Sequence, residues 1–101
     1  MGIHFAVDEL YATGWNPLDS TGCAHTADGR LVPSVDRVRR ECAGLGYTLE
    51  LSHVQLFDCY RAAWSRAGEP GHEGAVVGSS EHEAAVYALA QLRRAPATAS
   101  A

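Results

Sequence analysis

The sequence contains no lysine, and its basic side chains are eight arginines against twelve aspartates and glutamates. The net charge of −4 opposes non-specific attraction to the phosphate backbone of nucleic acids. No apolar run approaches the roughly eighteen residues that a transmembrane helix requires, so we expect no membrane partner. The first ten residues hold two acids and no basic n-region, so we expect no signal peptide and a cytoplasmic location.

Motifs for metals, disulfides and catalysis are also scarce. The three cysteines cannot all pair within one chain and none lies in a CxxC motif, so we expect free thiols. Cys23 and His25 form one pair of possible zinc ligands, whereas structural zinc sites usually have two such pairs. Ser52 and His53, with Asp58 nearby, are adjacent on a predicted strand and should point to opposite faces, which argues against a catalytic dyad. We therefore expect no enzyme activity and no cofactor, and we keep a metal site or a thiol enzyme at Cys23 and His25 as a second alternative.

The length of 101 residues and the apolar fraction of 47% predict one small domain with a hydrophobic core. We place the domain in residues 1–94 and expect residues 95–101 to form a disordered tail. Within residues 1–33, the helical spacing of Val7 and Leu10 predicts a short helix that Gly14 ends. The segment from there to residue 33 is dense in turn formers and predicts a long loop.

Residues 34–94 have the periodicity of an α+β fold. Ser34 and Ser80 are predicted N-caps of two helices, and Glu83 completes a capping box with Ser80. Alternation and turn signals predict three strands between these helices, at residues 47–52, 57–66 and 72–77. The predicted fold is therefore a three-stranded antiparallel sheet flanked by two helices in the order α-β-β-β-α, with an extra short N-terminal helix and a long loop.

The run Ala84-Ala-Val-Tyr-Ala-Leu-Ala-Gln-Leu92 resembles the second helix of double-stranded RNA-binding domains, which has the pattern AAxxALxxL there. This resemblance covers residues 34–94 and implies an αβββα fold that binds RNA through a lysine cluster at the start of the helix. The corresponding segment of this chain has no lysine, and Glu81 and Glu83 place negative charge there. RNA binding through arginines is therefore our first alternative function.

A second resemblance concerns the strand Tyr60-Arg-Ala-Ala-Trp64, which precedes a hairpin and an alanine-rich last helix. This order is similar to that of small α-β-β-β-α sandwich domains encoded by bacteria and phages. Most such domains have no assigned role, so the resemblance implies an architecture and no chemistry.

The strand before the predicted hairpin carries the candidate binding surface. Tyr60 and Trp64 should project from one face of the sheet, with Arg61 close in sequence. On an open sheet, these aromatic rings would form a platform for a protein partner or for single-stranded nucleic acid. The alternative is that residues 5–15 fold back and cover this face.

Arginines on the first helix of the αβββα unit add a possible basic patch. Arg37, Arg39 and Arg40 would join Arg93 and Arg94 if the two helices lie side by side, although solvated helix faces often have this composition. Our hypothesis is a non-catalytic binding module that contacts a protein partner or a second copy of itself. Its candidate partner-binding residues are Tyr60, Trp64, Arg61, Arg37 and Arg40.

Overall fold

The computed structural model describes residues 3–15, 21–27, 29–66 and 73–99, the last five of these by their backbone alone. The fold is α+β, and the described residues form three helices, a three-stranded antiparallel sheet and a two-stranded sheet. In chain order the elements are α1 (Ile3–Ala12), β1 (Cys23–His25), β2 (Leu31–Pro33), α2 (Val35–Gly44), β3 (Thr48–Val54), a 3₁₀ turn (Gln55–Phe57), β4 (Cys59–Ser65), β5 (Gly74–Gly78) and α3 (Glu81–Ala99).

Helix α1 ends as the sequence predicts. Gly14 has a φ of +84°, which is the left-handed conformation that glycine adopts at little cost after a helix. Val7 and Leu10 are fully buried, and α1 packs against α3. The indole of Trp15 donates to the Glu41 carboxylate on α2 at 3.0 Å, so the end of this segment is attached to α2.

The prediction of one long loop between α1 and α2 is wrong where the structure describes it. Strands β1 and β2 pair as an antiparallel hairpin, with Ala24 opposite Val32. Thr26 and Arg30 close the turn, because the Thr26 N–H donates to the Arg30 carbonyl at 2.8 Å. Strands of three residues are too short to show a two-residue period in the sequence, which is why the pattern missed them. The rest of the predicted loop, residues 16–20 and 28, lies outside the described residues.

Helix α2 begins at the predicted cap, where the Ser34 hydroxyl accepts from the Arg37 N–H at 3.1 Å. Val38 and Cys42 are fully buried on its inner side. The helix is capped by Leu45, and Gly46 follows with a φ of +91°. A glycine in the left-handed conformation thus directly follows the end of α2.

The three-stranded sheet has the order β3-β4-β5, with Leu51 opposite Ala62 and Ala62 opposite Val76. Because side chains alternate along each strand, this register divides the sheet into two faces. The inner face, which packs against the helices, consists of Leu49, Leu51, His53, Tyr60, Ala62, Trp64, Gly74, Val76 and Gly78. The outer face consists of Thr48, Glu50, Ser52, Val54, Cys59, Arg61, Ala63, Ser65, Ala75 and Val77.

Phe57 does not lie in a strand, contrary to the prediction for residues 57–66. It ends the 3₁₀ turn and is followed by Asp58, which has a φ of +46°. The chain reverses at this point, and β4 begins only at Cys59. Phe57 therefore does not share a sheet face with Cys59 and Ala63.

Helix α3 occupies the centre of the molecule. It contacts α1, α2 and all three strands of the larger sheet. Its fully or almost fully buried apolar residues are Ala84, Ala85, Val86, Ala88, Leu89, Ala90 and Leu92. These residues lie on more than one side of the helix, as expected for a helix that has neighbours on several sides.

The tail predicted to be disordered from residue 95 is helical as far as Ala99. Residues 100 and 101 lie outside the described residues.

Candidate functional site

Tyr60 and Trp64 share one face of the sheet, but this face is the inner one. A side-chain carbon added at Gly78, on the same face, would lie 2.7 Å from the backbone nitrogen of Ala84 in α3. The Trp64 ring lies against Gly74 of β5, since a carbon added there would be 2.5 Å from the ring. Of the two alternatives that the sequence left open, a covered face fits this geometry better, because the strand register turns both rings toward the helices and both are half-buried against the core.

The proposed cover for these rings was the wrong segment. Residues 5–15 contribute Leu10 and Trp15 to the core, and α1 packs against α3. Helix α3 itself packs against β3, β4 and β5. Its small side chains allow its backbone to approach the inner face of the sheet closely. The outer face has no covering element among the described residues.

An open groove of about 320 Å³ lies at the end of β4 and the start of β5, lined mostly by outer-face residues and also by Trp64 and Gly74 of the inner face. Its lining combines one guanidinium, two carboxylates, the Trp64 indole and small side chains. The lining residues are Glu50, Arg61, Ala63, Trp64, Ser65, Glu73, Gly74 and Ala75. This composition gives a mixed polar and apolar surface of the kind that protein interfaces have.

The rest of the outer face becomes more apolar toward the other end of the strands. Val77 is 58% exposed, although it is a β-branched apolar residue in a sheet. Val54 and Cys59 are opposite each other and only half-buried. On β3 the same face carries the exposed polar residues Thr48, Glu50 and Ser52.

Strand β5 is an edge of the sheet, so one row of its backbone N–H and C=O groups points away from β4. Its sequence, Gly-Ala-Val-Val-Gly, contains neither a charged residue nor proline, the usual means by which proteins protect an edge. The opposite edge, β3, carries Glu50 and His53. The two edges are thus unequally protected against pairing with another strand.

The connection between β3 and β4 presents two exposed apolar side chains. Leu56 is 84% exposed and Phe57 is 73% exposed. Below them, the His53 Nε2 lies 3.1 Å from the Asp58 carboxylate, and the His53 ring lies 4.9 Å from the Tyr60 ring. These contacts connect the base of the turn to the start of β4.

The arginines do not gather into the basic patch that the sequence suggested. Arg93 donates to the Thr13 hydroxyl at 2.8 Å, and Arg94 pairs with Glu9, so both are directed toward α1. Arg37 on α2 pairs with Glu41 at 2.8 Å, and the Glu41 carboxylate also accepts from the Trp15 indole. Two further arginines have neutralising or carbonyl partners: Arg30 with Asp8, and Arg66 with the Leu45 carbonyl.

Of the remaining candidates, Arg40 and Arg61 are exposed and lie on different elements. Arg40 is on α2, near Gly22 of the hairpin, whereas Arg61 is on the outer face of β4. The structure brings two of the five predicted partner-binding residues together, because Arg61 and Trp64 both line the groove. Tyr60 is half-buried on the inner face, and Arg37 and Arg40 lie on α2.

Cys23 and His25 lie on β1 and point to the same side of that strand. The Cys23 sulfur is 3.8 Å from the Arg37 guanidinium, while His25 is exposed. No group of three or more histidine, cysteine, aspartate or glutamate side chains is placed to hold a metal ion in residues 3–15, 21–27, 29–66 and 73–99. His82, a possible further ligand, donates from its Nε2 to the Pro33 carbonyl at 2.6 Å.

The thiols have no disulfide partners, and Cys42 is the most deeply buried of them. Burial, together with the nearby Glu41 carboxylate, raises the pKa of Cys42 to about 11. A thiol with a raised pKa is a poor nucleophile at neutral pH, since the thiolate is the reactive form. Cys42 is therefore a structural residue.

Glu83 differs from its predicted role in the capping box. The Ser80 hydroxyl accepts from the Glu83 N–H at 3.1 Å as expected, but the Glu83 carboxylate accepts from the N–H of Ser79 at 2.5 Å. The side chain is almost fully buried, and among the described residues its Oε1 has no hydrogen-bond partner. The close approach of Gly78 to Glu83 and Ala84 is the reason for this burial, because no side chain separates β5 from the start of α3.

Comparisons with protein-family models, with curated proteins and with solved structures gave no match to this chain. Among its described residues, the protein has no helix of the length and apolarity needed to cross a membrane. Arguments about function therefore rest on the geometry of the two sheet faces and of the edges.

Proposed function

We propose that this protein is a small non-catalytic binding domain, and that it binds protein through the outer face of its three-stranded sheet together with the β5 edge. The observation that supports this proposal is the one-sided packing of the sheet. Helix α3 packs against the inner face of all three strands, whereas the outer face combines a groove with exposed Val77. An uncovered sheet face with apolar positions and an unprotected edge is a typical site of strand addition.

The chemistry of this surface suits an extended polypeptide segment. The outward N–H and C=O groups of β5 would hydrogen-bond to its backbone, while Ala75 and Val77 would contact its alternate side chains. Arg61 and Glu73 in the groove would favour segments that carry complementary charges at that end of the strand. The three free cysteines agree with the cytoplasmic location that we propose for this function.

The order of α2, β3, β4, β5 and α3 supports our proposal that residues 34–94 form an αβββα unit. RNA binding through that unit draws less support from the geometry. Five of the eight arginines are engaged by carboxylates, a hydroxyl or a carbonyl of this chain, and Glu81 and Glu83 lie at the start of α3. A phosphate backbone would have to compete with those contacts.

An unbiased selection of displayed peptides against the intact protein tests the proposal. We expect selected peptides to shift the backbone amide resonances of Arg61, Ala63, Ala75 and Val77 in NMR titrations. Val77→Ser should weaken their binding at least tenfold. The matched control is Phe5→Ser on α1, because Phe5 and Val77 have similar exposures of 55% and 58%, and this change should leave the affinity unaltered.

Two outcomes would contradict the proposal. In the first, the selected peptides bind the helices and are insensitive to Val77→Ser. In the second, double-stranded RNA at moderate salt shifts the amides of Arg39 and Arg40, while no peptide shifts those of the outer face. The second outcome would favour the RNA-binding alternative.

A further inference from the structure

Glu73, at the groove end of β5, is a carboxylate without a counter-charge among the described residues. It directly precedes β5, lines the groove and is exposed. No ion pair joins it to another of the described residues. We infer that the extended segment bound at β5 carries a basic residue opposite Glu73 and an apolar residue opposite Val77. This inference rests on the proposed function and names the class of segment that the surface binds.

The other two charged side chains of the groove lie closer to each other than either lies to Glu73. Glu50 is opposite Ala63, two residues from Arg61, so the usual strand spacing and rise place the Cα atoms of Glu50 and Arg61 about 8 Å apart. With Glu73 continuing the line of β5, the same spacings place it about 14 Å from Arg61 and about 12 Å from Glu50. Arg61 therefore offsets the charge of Glu50, and the charge of Glu73 remains for a ligand.

Arg66 lies just beyond the end of β4, but its guanidinium is directed away from the β5 edge. It donates to the Leu45 carbonyl at 2.7 Å and lies over the Tyr47 ring, 4.6 Å from the ring centroid. Both of these residues precede β3, which is the opposite edge of the sheet. Among the described residues, the groove therefore carries one carboxylate more than it carries cations.

The register of a strand added to β5 fixes the spacing of the two residues that the segment must carry. Glu73, Ala75 and Val77 follow one another along the outer side of β5, so the added strand faces them with every second residue. The residues opposite Glu73 and Val77 are therefore four positions apart, in parallel and antiparallel addition alike. Opposite charges that face each other across two strands stabilise the pairing, which favours lysine or arginine opposite Glu73. Val77 is 58% exposed and favours an apolar side chain opposite it.

Between these two positions, the added strand faces Ala75. Ala63 and Ala75 lie side by side on the outer face and line the groove with side chains of one carbon each. This position offers space for a large side chain and no charge directly opposite it. The charge of the segment is therefore selected at Glu73.

The experiment compares selections from one random library of displayed peptides on the wild type, Glu73→Lys and Glu81→Lys. The wild type should select peptides with a lysine or arginine four positions from an apolar residue, and Glu73→Lys should select an aspartate or glutamate at that place. Glu81→Lys is the matched control, because Glu81 is also exposed, lies beyond the other end of β5, and its replacement changes the net charge equally. Thermal unfolding monitored by circular dichroism checks that both variants are folded.

Affinities of a peptide selected on the wild type give the size of the effect. Replacing its basic residue by glutamate should weaken binding to the wild type about fivefold, because an attractive cross-strand pair becomes a repulsive one. The same replacement should strengthen binding to Glu73→Lys.

Peptides that shift the amide resonances of Ala75 and Val77 without a preference for a basic residue would overturn the inference and leave the proposed function standing. A preference that Glu73→Lys leaves unchanged, or that Glu81→Lys reverses equally, would have the same consequence. If no peptide shifts these amides, the proposed function fails and the inference fails with it.

Discussion

Ala62 and Ala63 are neighbours on β4, yet Ala62 is fully buried beneath the helices while Ala63 lines the outer groove. The same contrast extends over the whole sheet. On the inner side, alanines on α3 allow close contact with the strands, and glycines on β5 leave space for Trp64 and for the start of α3. On the outer side, Val77 and the groove have no covering element among the described residues. The two faces therefore differ in environment: the inner face packs against the helices, and the outer face is the one through which we propose that the protein binds.

The largest expected difference between the two sides comes from matched truncations of leucine. Leu89→Ala should lower the free energy of unfolding by about 2–5 kcal/mol, because Leu89 is fully buried in α3 and the truncation leaves a cavity. Leu56→Ala should change it by less than about 0.5 kcal/mol, because Leu56 is 84% exposed. Urea denaturation of both variants measures the difference. Equal effects would mean that the exposed turn contributes to the core.

The second expectation concerns the pH dependence of the inner side. The pKa of Cys42 is raised from 9.0 to about 11 in the folded protein, so the fold favours the neutral thiol. The unfolded chain releases this proton at lower pH, and folding stability should therefore be constant below pH 9 and fall as the pH rises toward 11. At pH 11 the loss should be about 2 kcal/mol.

Cys42→Ala is the control for this pH dependence. The variant should be less stable at neutral pH, because it removes a buried side chain, but its stability should fall less steeply between pH 9 and 11. Burial also raises the pKa of Tyr87, with contributions from Glu83 and Glu9, so the difference between wild type and variant is the quantity to compare. If the free energy of unfolding of wild type and variant depends on pH in the same way, the pKa of Cys42 does not differ between the folded and unfolded states.

A third comparison uses glycines that differ in the space around them. Gly78→Ala should destabilise the protein by about 1–3 kcal/mol, since the new carbon would lie 2.7 Å from the Ala84 backbone nitrogen. Gly44→Ala at the exposed end of α2 meets nothing within 4 Å and should stabilise the protein by about 0.5–1 kcal/mol. Thermal melts of the two variants should shift in opposite directions. A neutral Gly78→Ala would show that β5 and α3 can separate without cost.

The sequence was informative where one residue determines local geometry. Ser34 and Ser80 as caps, and Gly14 as a helix end, were predictable because hydrogen bonding and φ preferences act within a few residues. The orientation of Tyr60 and Trp64 was not predictable in this way. Both faces of that strand are partly apolar, so only the tertiary packing of α3 decides which face is covered.

The candidate site was harder to predict than the fold for the same reason. Val77 and Ala75 have the composition of a buried strand, and only the strand order places them at an edge with an uncovered face. The arginine patch was wrong because Arg93 and Arg94 bind groups on α1, which is distant in sequence. Contacts between segments that lie far apart along the chain leave no local pattern to detect.

The smallest expected effect lies at the exposed turn between β3 and β4, where backbone geometry replaces burial as the stabilising factor. Asp58 has a φ of +46°, a conformation that costs a residue with a side chain about 1 kcal/mol more than glycine. Asp58→Ala and Asp58→Gly both remove the contact with His53. The left-handed conformation costs alanine about 1–2 kcal/mol, which exceeds the roughly 0.4–1 kcal/mol that alanine gains over glycine through the unfolded chain. Asp58→Ala should therefore be about 1 kcal/mol less stable than Asp58→Gly in urea denaturation. Equal stabilities would mean that the turn adopts another conformation in the variants, and the exposed pair Leu56 and Phe57 would then be presented by a different backbone.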